Sequence, residues 1–166
     1  MSQLERFMSG RDTISTKAAK LTVTINGEVI PIIECNKFTA KLEKNKEDVQ
    51  VLNNNWKMKK TTSVEGTGTL GGYWINSNWI KYGIPFTQEK GDLYFQATLT
   101  IEDPTSSAGK QIVQFDYVNL DDIPIADFEA DDGVMEYETD FTFEGVHLIQ
   151  AFKGVDATDR NYLNQY

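Results

Sequence analysis

The chain is poor in the residues that build reactive or covalently braced sites. It has one cysteine, Cys35, so no intramolecular disulfide and no cysteine-rich zinc site can form. Near what reads as a strand end, Cys35 has the role of a small apolar residue. His147 is the only histidine, which leaves neither a multi-histidine metal site nor a second histidine around which to search for a Ser-His-Asp triad. No run approaches the roughly 20 apolar residues of a membrane-spanning helix, and the N-terminus lacks the apolar core of a signal peptide. Positive charge is also short: 16 Lys and Arg stand against 25 Asp and Glu, a net charge of −9. Proteins that grip nucleic acid need clustered cations to release counterions from phosphates, and an acidic chain instead repels DNA.

What is present is alternation. With 40% hydrophobic residues among 166, the chain can bury one core as a single domain. Leu21, Val23 and Ile25 alternate with Lys20, Thr22 and Thr24. Asn26-Gly27 then supplies the positive φ angles of a type I′ hairpin turn, and Pro31 places the returning strand at an edge or bulge. Leu93 to Ile101 alternates without error. Ile112–Val118 reads as a further strand, and Ile123–Ala130 as another with a bulge near Ile125. In the next, Met135, Tyr137, Phe141 and Phe143 face inward while Glu136, Glu138, Asp140 and Glu144 face out. Asn76–Gly83 reads as the one short helix, capped by Asn76 or Ser77, stopped at Gly83 and Pro85, and covering the open apolar face of a sheet. Val146–Phe152 reads as either a last strand or a short helix. The expected class is mainly β, about eight strands in a sandwich or small barrel with one flanking short helix. The expected segments are an N-terminal arm at 1–17, a β domain at 18–146 and a C-terminal segment at 147–166.

The chain is organised around a long hairpin from Phe38 to Leu70. On its first strand Phe38, Ala40 and Leu42 alternate with Thr39, Lys41 and Glu43. On its second, Thr61, Ser63, Glu65, Thr67 and Thr69 make an entirely polar face, with Val64, Gly66, Gly68 and Leu70 behind. The loop between, Glu47–Lys60, carries Val49, Val51, Leu52, Trp56 and Met58 and is too long for a tight turn. Either it folds back on its own sheet or it covers a partner. The arm reads either as a disordered terminus or as docked on a partner, because Leu4, Phe7 and Met8 interrupt an otherwise polar stretch.

Several apparent motifs fail on context. Gly66, Gly68 and Gly71 match G-x-G-x-x-G but lie within an alternating strand rather than between strand and helix, where they make room for aromatics. Asp127, Glu129, Asp131 and Glu138 approximate calcium-loop spacing, yet Asp132 occupies the position that needs glycine. Paired carboxylates abound without a recognisable strand-end cleft. The expectation is no catalytic residue, no cofactor and no metal: a structural protein, not an enzyme.

Five stretches taken in order resemble one family: TINGEVIPI (Thr24–Ile32), EKNKEDVQVL (Glu43–Leu52), GTGTL (Gly66–Leu70), EDPTSSAGKQ (Glu102–Gln111) and DFTFEGV (Asp140–Val146). They are similar to the tail tube proteins of contractile phages and phage-like particles, including PBSX-like defective prophages and R-type bacteriocins. The resemblance implies hexameric rings stacked into a tube, in which four strands per subunit join a continuous inner β-barrel. At about 24 strands, ~4.8 Å apart and tilted ~40°, the backbone diameter is roughly 45–50 Å, wide enough for B-DNA after side chains are subtracted. Thr61, Ser63, Glu65, Thr67, Thr69, Thr39, Lys41 and Glu43 would line the lumen, with Val64 and Leu70 packed behind. Leu4, Phe7, Met8, Val49, Val51, Leu52, Trp56 and Met58 would contact neighbouring subunits or rings. The implied partners are other copies of the chain, a contractile sheath protein, and tape measure and baseplate tube-initiator proteins. DNA would be met only in passage and membranes not stably. The implied place is the tail of a virion or phage-like particle, assembled in the bacterial cytoplasm. A type VI-secretion-like tube shares this fold. The rival from another class is a soluble ligand- or carbohydrate-binding β-barrel using Trp56, Trp74 and Trp79 as stacking platforms.

Overall fold

The computed structural model describes residues 8–89, 91–131 and 133–154; side chains are described outside 86–89. Eight strands and one α-helix follow a single-turn 3-10 helix, Gly10–Asp12. The strands are β1 (Ala19–Ile25), β2 (Glu28–Pro31), β3 (Cys35–Val49), β4 (Met58–Tyr73), β5 (Phe95–Glu102), β6 (Lys110–Leu120), β7 (Glu136–Phe143) and β8 (Gly145–Gln150). The helix α1 (Asn78–Glu89) joins β4 to β5. All pairings are antiparallel.

Two sheets share β6. Its first half lies between β5 and β8, in a sheet ordered β2-β1-β5-β6-β8. Its last residues, Asn119 and Leu120, pair with β7 in a second sheet ordered β6-β7-β4-β3. The register slips opposite Gln96, and Tyr117 there adopts φ 51°, a left-handed conformation that a bulky residue occupies only when its surroundings hold it. Its ring meets Tyr94 edge-on, the centroids lying 6.4 Å apart.

The two sheets close on one core. Leu21, Val23, Ile25, Phe95, Ala97 and Phe115 come from the first, and Leu70, Tyr137, Phe141 and Phe143 from the second. Phe141, with 1% of its surface exposed, is worth about 1.5–3 kcal/mol of burial. It stacks on Phe38 at 5.3 Å, and Phe115 meets Phe143 edge-on at 5.0 Å. Glycines on β4 admit these rings. A Cβ on Gly66 would stand 2.5 Å from the Phe143 ring, and one on Gly68 would stand 2.2 Å from the Thr39 carbonyl and 2.4 Å from the Phe141 ring. The glycines therefore serve the aromatic packing that their place in a strand implied.

The Asn26-Gly27 hairpin forms as expected, with φ of 52° and 80°, and β2 with Pro31 is a sheet edge. The inward row of β7 is also as expected, with Tyr137, Phe141 and Phe143 buried. The Val146–Phe152 stretch resolves as a strand, β8, which pairs with β6 from Asp116 to Ile112 with an irregularity between Ile112 and Val113.

Other expectations are corrected. Ile123–Ala130 forms no strand; Ile125 and Phe128 are exposed and no ladder pairs them. Pro124 removes a donor, and alternating apolar and acidic residues gave the segment a strand's period without a buried face to keep it. The helix begins where Asn76 Oδ1 accepts from the Asn78 amide at 3.3 Å, but it runs through Gly83 and Pro85. Gly83 is a contact residue, since a Cβ there would lie 2.8 Å from Ile123 Cδ1. Pro85 removes one helical hydrogen bond without ending the helix. Nor is the helix the main cover of the polar sheet's apolar side: the other sheet is, and the helix contributes buried Trp79, whose Nε1 donates to Tyr137 Oη at 3.0 Å. Burial pushes the Tyr137 phenol up to about 12.

The described part of the N-terminal arm folds back on its own chain. The Ser107 amide donates to the Arg11 carbonyl at 3.0 Å, the Ser107 hydroxyl bonds Asp12, and the Ser15 amide donates to Asp103 Oδ2 at 2.9 Å. The Thr105 hydroxyl, then the Ser15 and Thr105 amides, hold the Asp103 carboxyl below its ordinary range. Among the described residues no helix is long and apolar enough to cross a membrane.

Gly68→Ala should destabilise the chain by about 1–3 kcal/mol, because backbone as well as an aromatic ring must yield to the new methyl group. Urea unfolding of the isolated protein measures this, and an unchanged midpoint would contradict the tight β3-β4-β7 contact.

Candidate functional site

The register of β3, β4 and β7 assembles a polar face from three separate stretches. Cross-strand partners share a face, so Thr39, Lys41, Glu43 and Asn45 stand beside Thr69, Thr67, Glu65 and Ser63. Thr67 and Thr69 in turn stand beside Thr142 and Asp140. The face is hollowed into an open trough of about 520 Å³ whose lining includes Thr39, Lys41, Thr67, Thr69, Asp140 and Thr142. The sequence reading placed Glu138 and Asp140 outward on β7 but did not join them to the β4 row, because no local pattern encodes which strand lies next to which. Thr61 departs from the row. A bulge leaves Thr62 unpaired and sets Thr61 opposite Lys46, on the other face from Asn45 and Ser63. The bulge residue is satisfied, its hydroxyl donating to the Asn45 carbonyl at 3.1 Å.

Two cations on this face are paired, while Lys60, opposite Glu47 further along the hairpin, makes no ion pair among the described residues. Lys37 Nζ lies 3.1 Å from Glu138 Oε1 and Lys41 Nζ 2.7 Å from Glu43 Oε1. The Thr69 hydroxyl donates to Asp140 Oδ1 at 2.8 Å. The hydrogen bond to Glu43, reinforced by charge attraction, raises the Lys41 pKa, and the same bond lowers that of Glu43. Glu65, directly opposite Glu43, adds negative charge with no ion pair among the described residues.

Beyond the body the hairpin becomes an arm. The β7 partners of β4 begin at Gly66, so Met58–Glu65 pairs with β3 alone. Those eight residues extend roughly 26 Å at ~3.3 Å each, and a two-stranded ribbon is marginal in water without further packing. The strands run further than the sequence reading placed them, leaving only 50–57 outside the ladder, with Val49 opposite Met58. Asn53 takes the left-handed conformation (φ 63°) and Asn54 Oδ1 accepts from the Trp56 amide at 3.0 Å, which accounts for the asparagine run. Val51, Leu52 and Trp56 are exposed, Leu52 at 98% and Trp56 at 81%. The loop does not fold back on its sheet. Leu42 and Val64 are exposed too: of the row Phe38, Ala40 and Leu42 only Phe38 packs on the core, and Val64 does not pack behind the polar face as Leu70 does. Met8 is exposed, whereas Leu4 and Phe7 lie outside the described residues.

The three tryptophans form no common platform. Trp79 is buried, Trp74 donates its Nε1 to the Glu136 carbonyl at 3.1 Å, and Trp56 lies at the arm tip, with the whole length of β4 between it and Trp74. That separation removes the arrangement on which a carbohydrate-binding reading depended.

A profile of the family described as phage tail tube protein matches residues 6–150. The chain belongs to the phage tail tube protein family. It is similar to the phage-like element PBSX protein XkdM of Bacillus subtilis (strain 168), 31% identical over 137 residues that cover 82% of this chain and 90% of that one. Among solved structures, a chain of the anti-feeding prophage baseplate, symmetrised six-fold, superposes with a TM-score of 0.64 at 11% identity, covering 86% of this chain and 97% of that one. A chain of the sheath–tube complex of an extracellular contractile injection system superposes at 0.60 and 13% identity, covering 84% and 92%. The mainly β architecture with one helix is thus that of tail tube proteins, and the chain has a structural, tube-forming role.

Replacing Lys41 with Ala should return the Glu43 midpoint upward to the ordinary carboxylate range, because the lysine is the first cause of its depression. Carboxyl NMR titration of the unassembled protein reads this; an unmoved Glu43 would mean that the pair does not form in solution.

Proposed function

We propose that this chain builds the inner tube of a contractile tail, in a phage or an R-type bacteriocin, by closing into hexameric rings that stack. The observation that carries the reading is the joint placement of a hollowed polar face and an unpaired edge on one sheet. Strand β3 offers 15 residues of edge with no second neighbour, a hazard in a monomer that a ring removes by pairing each edge with the next subunit. The six-fold baseplate and the sheath–tube complex among the structural relatives support a ring of six and a surrounding sheath.

In such a ring Thr39, Lys41, Glu43, Ser63, Glu65, Thr67 and Thr69 face the lumen. With Lys37 and Lys41 bound to carboxylates, the part of the wall backed by the core has no spare ammonium group among the described residues with which to hold phosphates. DNA therefore gains little by counterion release over that part of the wall and slides. Thr61 sits past the bulge, within the arm and on its other face. Val49, Val51, Leu52, Trp56 and Met58 on the arm, with Met8, contact neighbouring subunits or rings, which gives their exposed apolar surface its cover. The sheath protein, the tape measure protein and a baseplate initiator are its partners in the tail, and assembly takes place in the bacterial cytoplasm. Its work is structural rather than catalytic.

Size-exclusion chromatography with light scattering and negative-stain imaging test the reading. Concentrated or baseplate-seeded protein should give six-fold rings and tubes, and a seeded protein that stays monomeric would overturn it. The variant Leu52→Asp, Trp56→Ala should keep the monomer's stability within about 0.5 kcal/mol, since both side chains are exposed, yet lose tubes.

A further inference from the structure

The arm and the body differ sharply in charge. Residues 41–60 hold six lysines against Glu43, Glu47 and Asp48, although the whole chain is strongly acidic. Lys57 and Lys59 share Asp48, at 3.0 and 3.4 Å. Lys44 and Lys46 make no ion pair among the described residues. They lie on one face of β3 with Leu42, and Val64 stands directly opposite Lys44. This is the face that carries Phe38 and Leu70 into the core. Beyond Phe143, opposite Gly66, the chain has no more aromatic cover for it, and Val64 is left 55% exposed.

A surface of complementary chemistry lies at the other side of the same sheet. After β6 the chain runs from Asp121 to Asp131 with five carboxylates and no lysine or arginine. It is tied to the free side of β7, where the Asp121 amide donates to the Asp140 carbonyl at 2.8 Å and the Thr139 hydroxyl donates to the Asp122 carbonyl at 2.9 Å. Ile125 and Phe128 project from it, Phe128 being 82% exposed, between Asp127 and Glu129. This is an apolar-acidic strip, and the arm is an apolar-basic one.

Strands β3 and β6 end the polar sheet at opposite sides, so a head-to-tail ring sets the β3 side of one copy against the β6 side of the next. We infer that the arm of each copy docks through Leu42, Lys44, Lys46 and Val64 onto the 123–131 strip of a second copy, with Phe128 and Ile125 covering the two apolar side chains and Asp127 and Glu129 meeting the lysines. This rests on the tube reading and specifies which surfaces join. It also explains why a segment with a strand's alternation forms no strand in the single chain: its apolar side belongs to the interface.

Charge exchange with rescue tests the pairing. Lys44→Glu, Lys46→Glu on one side, or Asp127→Lys, Glu129→Lys on the other, should each cut tube yield about ten-fold or more, since facing like charges cost several kcal/mol. All four substitutions together should restore it to within about two-fold. In parallel, Val64→Cys and Phe128→Cys in a Cys35→Ala background should give a covalent ladder on oxidation of tubes. Yield that ignores the swaps, loss that the combined variant does not rescue, or tubes that form without cross-linking would overturn the docking while leaving the tube reading intact. A native chain that forms no rings under any seeding would overturn both.

Discussion

The close approach of β4 to β7 is the constraint from which the rest of the molecule follows. Gly66 and Gly68 give up side chains so that Phe143 and Phe141 can lie flat against the β4 backbone, and those rings reach Phe38 and Phe115 across the core. The contact fixes the register of the polar sheet, because a shift of one residue would set a threonine side chain where a ring must pass. It also fixes where the body ends. Phe143 is the last ring in the row, and beyond its partner Gly66 the hairpin has only itself. A packed sheet and a bare arm are thus two consequences of one short aromatic series.

The polar face carries the functional argument through its internal neutralisation. An acidic chain could repel DNA by charge excess alone, but local lysines would still offer anchoring points. Here the two that stand on the part of the face backed by the core, Lys37 and Lys41, are engaged by Glu138 and Glu43, one across strands and one two residues along. The threonines supply a wetted surface that hydrogen-bonds without net charge. In the proposed tube, long-range repulsion would come from the charge excess of the whole chain and the weak local grip from the pairing on this face, two separate properties.

Much of this was legible from residues alone, and what was not has a common cause. Alternation located the strands with errors of a few residues, the Asn-Gly turn fixed the first hairpin, and the glycines of β4 were recognisable as packing residues. The family was readable from five short stretches in order. Failures came where a local signal had a tertiary meaning. Gly83 resembles a helix stop but is where Ile123 presses against the helix, and Ile123–Ala130 alternates without a sheet to join. On the site, the β3 and β4 rows were legible as period-two patterns, while their junction with Asp140 and Thr142 depends on a long-range pairing that no window of sequence contains. The bulge at Thr62 shifted Thr61 for the same reason: one unpaired residue leaves no mark in composition.

Strand β6 belongs to both sheets, bending from one into the other where Tyr117 is held in a left-handed conformation. Its consequence is mechanical. Here a pull on the polar sheet reaches the other sheet along continuous main chain, at β6 and again where β7 runs through Glu144 into β8. A tube wall made of such units would pass tension between its layers along the main chain at several crossings, and would deform as a single layer.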